Sequence, residues 1–186
     1  EQIPYSNIDK WGIYDIAKYC DAVDTSGNFL GVPGVYGVQE QRFTANLFIS
    51  ETNDAPSILK DLSSILRANI FWNNNYVSVV QDIPKTVTQV FTNSSVVGGE
   101  FSYSSAATKQ KPSSVKVRWN DPTDFYSAKT EHIENLELVA RQGVREIDTP
   151  AFGCTSLSQA RRFGRWILAT ESLESNIVSF RAPIMA

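Results

Sequence analysis

The stretch that decides the fold reads Thr155-Ser-Leu-Ser-Gln-Ala-Arg-Arg-Phe-Gly-Arg-Trp-Ile-Leu-Ala-Thr-Glu171, which is typical of an amphipathic helix. Ser156 followed by Gln159 predicts a capping box, in which the hydroxyl accepts an N-terminal amide and the glutamine reaches back to the cap. Apolar residues recur at steps of three and four, which predicts one buried stripe. The members of that stripe are Leu157, Ala160, Phe163, Gly164, Ile167 and Leu168. We therefore expect a helix over 155–171, followed by a closing strand over 176–181.

The first half of the chain predicts a lobe made of residues 1–84. Asp9 is placed to cap a first helix, and Asp54 to cap a second one that carries a leucine- and isoleucine-rich face. Strict alternation over Arg42–Ser50 predicts a strand with one buried face. Two β-rich runs flank Asn73-Asn-Asn75, and asparagine tolerates positive φ, so a hairpin is expected there. The expected order is a helix followed by a βαββ unit.

The second half, residues 85–186, predicts a β-rich lobe closed by the helix over 155–171 and the strand over 176–181. Val115–Trp119 alternates apolar and basic residues, which indicates a strand, and a further strand is expected over Ile133–Val139. Together the two lobes predict an α+β fold with mostly antiparallel strands and about three helices. The glycine- and proline-containing segment Leu30–Gln39 is expected to be an extended loop, and its pattern assigns it no role.

Composition excludes several classes of protein. The 186 residues are 42% hydrophobic and 20% charged, which is ordinary for a globular domain. The formal net charge of −3 argues against general nucleic-acid binding, and no apolar run is long enough to span a membrane. Cys20 and Cys154 lie far apart, and we expect two buried thiols, although a long-range disulfide stays open. Because the chain begins at Glu1 without a methionine, we expect a piece of a longer polypeptide.

Chemistry-bearing motifs are sparse, and the pattern predicts no catalytic residue, no metal site and no cofactor. His132 precedes an alternating run and is interpreted as a partly exposed strand residue. Carboxylates such as Asp121, Asp124 and Glu131 leave a second reading open, a cell-wall or polysaccharide hydrolase that uses a pair of acids. A third reading is a carbohydrate-binding module built on exposed aromatic residues. Those aromatic residues are Tyr103, Phe125 and Tyr126.

The polar side of the decisive helix carries Arg161, Arg162 and Arg165, with Trp166 beside them. A solvated face is one interpretation, in which the long side chains lie along the rim of the core. The other is a protein–protein interface, because arginine and tryptophan are enriched at such contacts. These four residues are therefore our candidate assembly contacts.

Four motifs in order resemble one known family. They are Tyr14–Asp21, Arg42-Phe-Thr-Ala-Asn46, Val115-Lys-Val-Arg-Trp-Asn-Asp-Pro122, and Gly153–Glu171 followed by Asn176-Ile-Val-Ser-Phe180. The last of these is similar to a G-C-T-x-x-x-Q-A-x-R-x-x-R-W-x-L-x-T-E element that precedes a strand. This order resembles the tip attachment protein J family of long-tailed phages, also called host-specificity proteins.

The resemblance implies a structural, non-catalytic role. The family forms the hub at the end of the tail tube as a homotrimer, contacts tail-tip and tail-tube proteins, and transmits receptor binding. We therefore expect a tail-tip hub module, located in the virion tail and in the bacterial host cytoplasm during assembly. Receptor-contacting parts are expected outside a region of this kind.

Overall fold

The structure is a computed structural model that describes residues 3–49, 54–73, 75–105, 111–173 and 176–183. Within these residues it has four α-helices and nine β-strands gathered in four small sheets. The helices are α1 (Lys10–Asp21), α2 (Ala55–Ile65), α3 (Leu136–Gln142) and α4 (Leu157–Leu173). The strands are β1 (Val32–Pro33), β2 (Gln39–Glu40), β3 (Ala68–Asn73), β4 (Tyr76–Gln81), β5 (Ser102–Ser105), β6 (Ser114–Asp121), β7 (Ser127–Glu134), β8 (Glu146–Pro150) and β9 (Asn176–Ser179). The predicted α+β class with mostly antiparallel strands is confirmed.

The core lies between a three-stranded sheet and α4. β6 is the central strand, and it pairs antiparallel with β7 and parallel with β8. Apolar side chains alternate along β6 as predicted, and those on one face pack against the stripe of α4. The buried members of this core are Val115, Val117, Trp119, Ile133, Cys154, Ala160 and Leu168. The helix that the sequence specifies best therefore covers the sheet that it specifies best.

Gly164 sets how closely α4 approaches the sheet. A Cβ atom added at this position would lie 2.7 Å from Cδ1 of Ile133 and 3.0 Å from Cγ2 of Val117. Both distances are shorter than ordinary carbon–carbon contacts of 3.5–4.0 Å. A glycine in a helix interior costs about 1 kcal/mol of helix stability relative to alanine, and here it allows the close packing of helix on sheet.

The N-terminal half contains the expected helices and hairpin. Oδ1 of Asp9 accepts a hydrogen bond from the Gly12 amide at 3.0 Å, so Asp9 caps α1 as predicted. β3 and β4 pair in register, and Asn75 has a φ of +69° at the hairpin tip. Asn74, the middle residue of the predicted tip, lies outside the described residues. The expected loop over 30–39 contains β1 and the first residue of β2, two-residue strands that pair antiparallel.

The predicted strand over Arg42–Ser50 is wrong for residues 42–49, and Ser50 lies outside the described residues. Residues 42–49 run without strand pairing, and Phe48 is 89% exposed. Partners elsewhere in the chain take the backbone groups of this segment, which competes with strand pairing. The first strand of the expected βαββ unit is therefore missing, while its helix and hairpin are present. The division into residues 1–84 and 85–186 stays a prediction.

The predicted strand over Ile133–Val139 is also wrong beyond its first two residues. β7 ends at Glu134, and Oδ1 of Asn135 accepts hydrogen bonds from the amides of Glu137 (3.1 Å) and Leu138 (3.2 Å). This side-chain cap starts α3, because it satisfies the first free amides of a helix. The described residues consequently hold four helices instead of about three.

The predicted closing strand over 176–181 is confirmed for its first four residues as β9, which pairs antiparallel with β5 in a separate two-stranded ribbon. Three phenylalanines gather at one end of this ribbon: Phe180 lies 5.3 Å from Phe101 and 4.7 Å from Phe91, measured between ring centroids. Among the helices of the described residues, none combines the length and apolarity needed to cross a lipid bilayer.

Candidate assembly surface on helix α4

The start of α4 joins two distant parts of the chain. Oγ of Ser156 accepts a hydrogen bond from the Gln159 amide at 3.3 Å, which is the first half of the predicted capping box. The second half is wrong, because the side chain of Gln159 turns to Thr44 instead. Its Oε1 accepts from the Thr44 amide and its Nε2 donates to the Thr44 carbonyl, both at 3.0 Å. Gln159 is only 6% exposed, so these bonds are shielded from water.

Arg162 faces the N-terminal half of the chain. Its Nη1 lies 2.5 Å from Oε1 of Glu40 in a salt bridge, and its Nη2 donates to the carbonyls of Gln41 (3.3 Å) and Arg42 (3.0 Å). The side chain is 22% exposed and that of Glu40 is 29% exposed. A largely shielded, multiply bonded arginine of this kind fixes the segment around residue 41 against the helix.

Trp166 takes part in the same contact. Its Nε1 donates to Oδ2 of Asp82 at 2.9 Å. The guanidinium of Arg67 lies 4.8 Å from the Trp166 ring and 5.1 Å from the Phe43 ring, and its Nη2 donates to the carbonyl of Arg162 at 3.1 Å. Burial lowers the pKa of Arg67 to about 10, so this cation is held between rings at a desolvation cost.

Arg161 and Arg165 face the opposite side, toward β7. Nε of Arg161 lies 2.5 Å from Oε1 of Glu131 in a salt bridge that joins α4 to the strand. Arg165 is exposed, and within the described part of the chain no salt bridge involves it. Three of the four candidates thus have partners inside the chain, and Arg165 is the one that faces solvent. Contact with other subunits stays a prediction for all four.

His132 lies on β7 with 43% of its side chain exposed, which confirms the interpretation as a partly exposed strand residue. Its Nε2 is 2.6 Å from Oγ of Ser114, and its Nδ1 is 3.5 Å from Oε1 of Glu134. The order serine, histidine, acid resembles a nucleophilic triad. Ser114 is fully buried, at 0% exposure, so a substrate has no route to its hydroxyl.

The three carboxylates of the hydrolase reading each serve a local contact. Asp121 accepts hydrogen bonds from the amide and the hydroxyl of Thr123, and Glu131 pairs with Arg161. The side-chain hydrogen bond from Lys129 holds the pKa of the Asp124 carboxyl below its ordinary value. Asp121 pairs with Ser127, and Glu131 lies four residues further along β7, about 13 Å away at the usual rise of a strand. That separation exceeds the spacing that glycoside hydrolysis requires for this pair.

The three aromatic residues of the carbohydrate reading are exposed but divided between two sheets. Tyr103 is 73% exposed on β5, while Phe125 (98%) and Tyr126 (59%) form the turn before β7. The two turn residues have φ values of +50° and +58°, which is uncommon for bulky side chains. No observation joins them with Tyr103 in one binding face.

The cysteines and the acidic side chains give no sign of a metal centre in the described ranges, where no cluster of three or more ligating side chains occurs. Cys20 and Cys154 are both buried free thiols, as expected, and burial raises the pKa of each. A raised pKa keeps a thiol protonated and unreactive at neutral pH.

Sequence reasoning missed the residues that tie the two halves of the chain together. Gln159 contacts Thr44 across 115 positions, and Arg162 contacts Glu40 across 122 positions. Periodicity reports on neighbours within one element, so it carries no information on such pairs. The one available signal was a glutamine and an arginine on the border of the apolar stripe.

Comparison with known proteins identifies the family. A family model described as putative phage tail protein matches residues 54–186. The chain therefore belongs to the family of putative phage tail proteins. It is 34% identical over 173 residues to the tip attachment protein J of Escherichia phage SECphi27, which covers 93% of the chain and 14% of that relative. It is 33% identical over 175 residues to the tip attachment protein J of Escherichia phage SECphi4, which covers 94% of the chain and 15% of that relative.

Proposed function

We propose that this chain is a structural module of a phage or prophage tail tip, where it contributes to tail assembly and host attachment. The observation that carries the proposal is the similarity to two tip attachment proteins over more than nine-tenths of the chain. Because the chain spans about one-seventh of the length of those relatives, we propose that it is one segment of a longer tail protein. The proposal contains no catalytic step.

The partners in this proposal are other tail-tip and tail-tube proteins, together with further copies of the same protein in a trimer. Its location is the virion tail, after assembly in the bacterial host cytoplasm. A three-fold ring is built from heterologous contacts, in which one surface of a subunit meets a different surface of the next.

Arg165 is the candidate assembly contact with the strongest support. Its side chain is exposed, while Arg161, Arg162 and Trp166 have partners within the chain. We expect those three to hold α4 in place, so that the exposed face keeps its shape. Arginine is enriched among residues that dominate binding energy, and on a helix its backbone is already ordered, so binding has to order only the side chain.

The test is incorporation into particles. Tail particles are purified from cells that produce the full-length protein, and peptides of this chain are sought by mass spectrometry and by labelling at the tail tip. We expect the chain at the tip, in a fixed ratio to other tail proteins. Complete, infectious particles that lack these peptides would contradict the proposal.

A charge reversal then tests the candidate contact. We expect Arg165→Glu to lower incorporation into tips. The substitution places a negative charge opposite the partner group that the arginine cation would meet. Glu171→Arg is the matched control, since it reverses an exposed charge on the same helix. Equal incorporation of both variants would remove Arg165 from the interface and leave the tail-tip role standing.

A further inference from the structure

An open groove runs between β7 and α4, with a volume of about 640 Å³. Its strand wall is made of four consecutive residues of β7, from Glu131 to Glu134. Successive side chains of a strand point to opposite faces of the sheet. A groove that touches four in a row must therefore lie along the edge of the strand and not over one of its faces.

That edge is open. In the sheet order β7–β6–β8, β7 has β6 on one side and no strand on the other among the described residues. β7 has eight residues, and every second one directs its N–H and C=O groups away from β6. Such an edge is a template for a further strand unless it is very short or covered.

The helix wall matches the strand wall in length. It consists of Arg161, Arg165, Leu168 and Ala169, which share one face of α4 because the last three follow Arg161 by four, seven and eight residues. Eight residues of helix rise about 12 Å. The three steps of strand from Glu131 to Glu134 span about 10 Å. The groove therefore offers a straight channel as long as about four residues of extended chain.

The two walls also run in the same direction. Arg161 is bonded to Glu131, and one turn later Gly164 lies against Ile133. Arg165 therefore follows close to the level of Ile133 and Glu134, with Leu168 and Ala169 beyond it. An added strand beside β7 would turn alternate side chains toward this wall, where the exposed Arg165 lies next to the exposed Ala169.

Charge favours a carboxylate in that position. The salt bridge with Glu131 already neutralises Arg161, whereas Arg165 is exposed. The carboxylates of Glu134 and Glu137 stand at the α3 end of the groove and disfavour additional acids there. One acidic side chain near the middle, flanked by apolar ones, fits this pattern.

Strands β8 and β9 of a second copy of this chain do not supply such a segment. β9 carries no acidic residue. On β8 the two acids already pair with β6, Glu146 with Lys116 at 2.7 Å and Asp148 with Arg118 at 3.0 Å. Neither strand therefore offers a free carboxylate to the groove.

We propose that the β7–α4 groove binds an extended segment of a partner protein, which adds to the sheet at β7 and places an acidic side chain beside Arg165. This binding mode combines backbone hydrogen bonds for affinity with alternate side-chain contacts for specificity. The inference goes beyond the tail-tip role, because it rests on the geometry of the groove and not on the location of the chain.

The probe is a seven-residue peptide of alternating threonine and valine, capped at both ends, with aspartate in place of the central valine. Its sequence reads the same in both directions, so it presents the same order of side chains whether it pairs parallel or antiparallel with β7. Two further peptides serve as controls, one with lysine at the centre and one with aspartate and an N-methylated backbone amide on each side of it. Binding to the 186-residue chain is measured by fluorescence anisotropy.

We expect the aspartate peptide to bind about tenfold more tightly than the lysine peptide, as one charge-assisted hydrogen bond predicts. Arg165→Glu should reverse that preference, and N-methylation should abolish binding because it removes strand hydrogen bonds. Glu171→Arg serves as the control variant, and circular dichroism checks that both variants fold.

Equal binding of the two peptides, or binding that survives N-methylation, would overturn the inference. So would sedimentation data showing that the chain itself self-associates and that Arg165→Glu disperses the assembly, because the occupant would then be a second copy. Failure here leaves particle incorporation untouched, so the two proposals are separable.

Discussion

The two sides of α4 hold the molecule together by different means. Toward the sheet, the helix packs apolar side chains against the apolar residues of β6 and β7, close enough to require Gly164. Toward the N-terminal half it uses polar groups, chiefly Gln159, Arg162 and Trp166. Apolar packing depends on area and volume, whereas buried polar contacts depend on each donor meeting its acceptor. One helix therefore supports one half of the chain by burial and positions the other half by hydrogen bonding.

The largest effect is expected on the apolar side. Leu168 is 4% exposed in the core, and Leu168→Ala should lower the free energy of unfolding by about 2–4 kcal/mol because it leaves a cavity. Urea unfolding followed by circular dichroism measures the change. A loss near zero would show that the sheet and α4 are not packed as described.

A smaller and more local effect is expected on the polar side. Gln159→Ala removes both partners of the Thr44 backbone, which should cost about 1–3 kcal/mol for the groups left buried and unpaired. Hydrogen exchange should accelerate most at the amides of Thr44 and Asn46. If Leu168→Ala speeds these amides as much as Gln159→Ala does, the polar contacts are not what holds the segment, and the contrast between the two sides fails.

The pH dependence of the free energy of unfolding tests the two sides of α4 separately, because one cysteine lies in each region. The expected effect is smaller. Burial raises the folded-state pKa of Cys20, on the buried face of α1, and of Cys154, in the core, above the ordinary value of 9.0. As pH rises past 9, the unfolded chain loses these protons first, so the free energy of unfolding should fall. Unfolding at pH 7.5 and about pH 9.5, compared with Cys20→Ala and Cys154→Ala, checks the direction. Each substitution should flatten the pH dependence; an unchanged slope would contradict the burial of that thiol.

The smallest effect is expected at Arg165. Because its side chain is exposed, Arg165→Ala should change the free energy of unfolding by no more than about 0.5 kcal/mol. Arg162→Ala is the matched comparison three residues away, and it should destabilise clearly more because Glu40 loses its partner. Equal losses in the two variants would mean that Arg162 is not fixed against residues 40–42.

Predictions from the sequence were correct where the residues that form the contacts recur at a fixed spacing along the chain. The apolar stripe of α4 and the alternation in β6 repeat at fixed steps, so both elements and the face that each buries were predictable. The caps at Asp9 and Asp54 were predictable for the same reason, since a cap and its amide are three residues apart.

It failed where a single side chain decided the outcome. Alternation over residues 42–49 indicates a strand, but the backbone of Thr44 is bonded to a glutamine from another element. Asn135 likewise starts a helix inside a run that alternates like a strand. The charged face of α4 read as solvated because no local pattern shows that Glu40 and Asp82 lie opposite it.

The distance in sequence between the partners of these polar contacts fixes an order of events during synthesis. Thr44 and Glu40 leave the ribosome more than 100 positions before Gln159 and Arg162. At the 5–20 residues per second typical of translation, that gap lasts roughly 5–25 seconds, far longer than a helix or hairpin needs to form. During that interval α1, α2 and the β3–β4 hairpin can form. The segment between α1 and α2, which holds Glu40 and Thr44, cannot yet form its bonds with Arg162 and Gln159. The newly made N-terminal half is therefore where a chaperone or a tail partner has the earliest opportunity to bind.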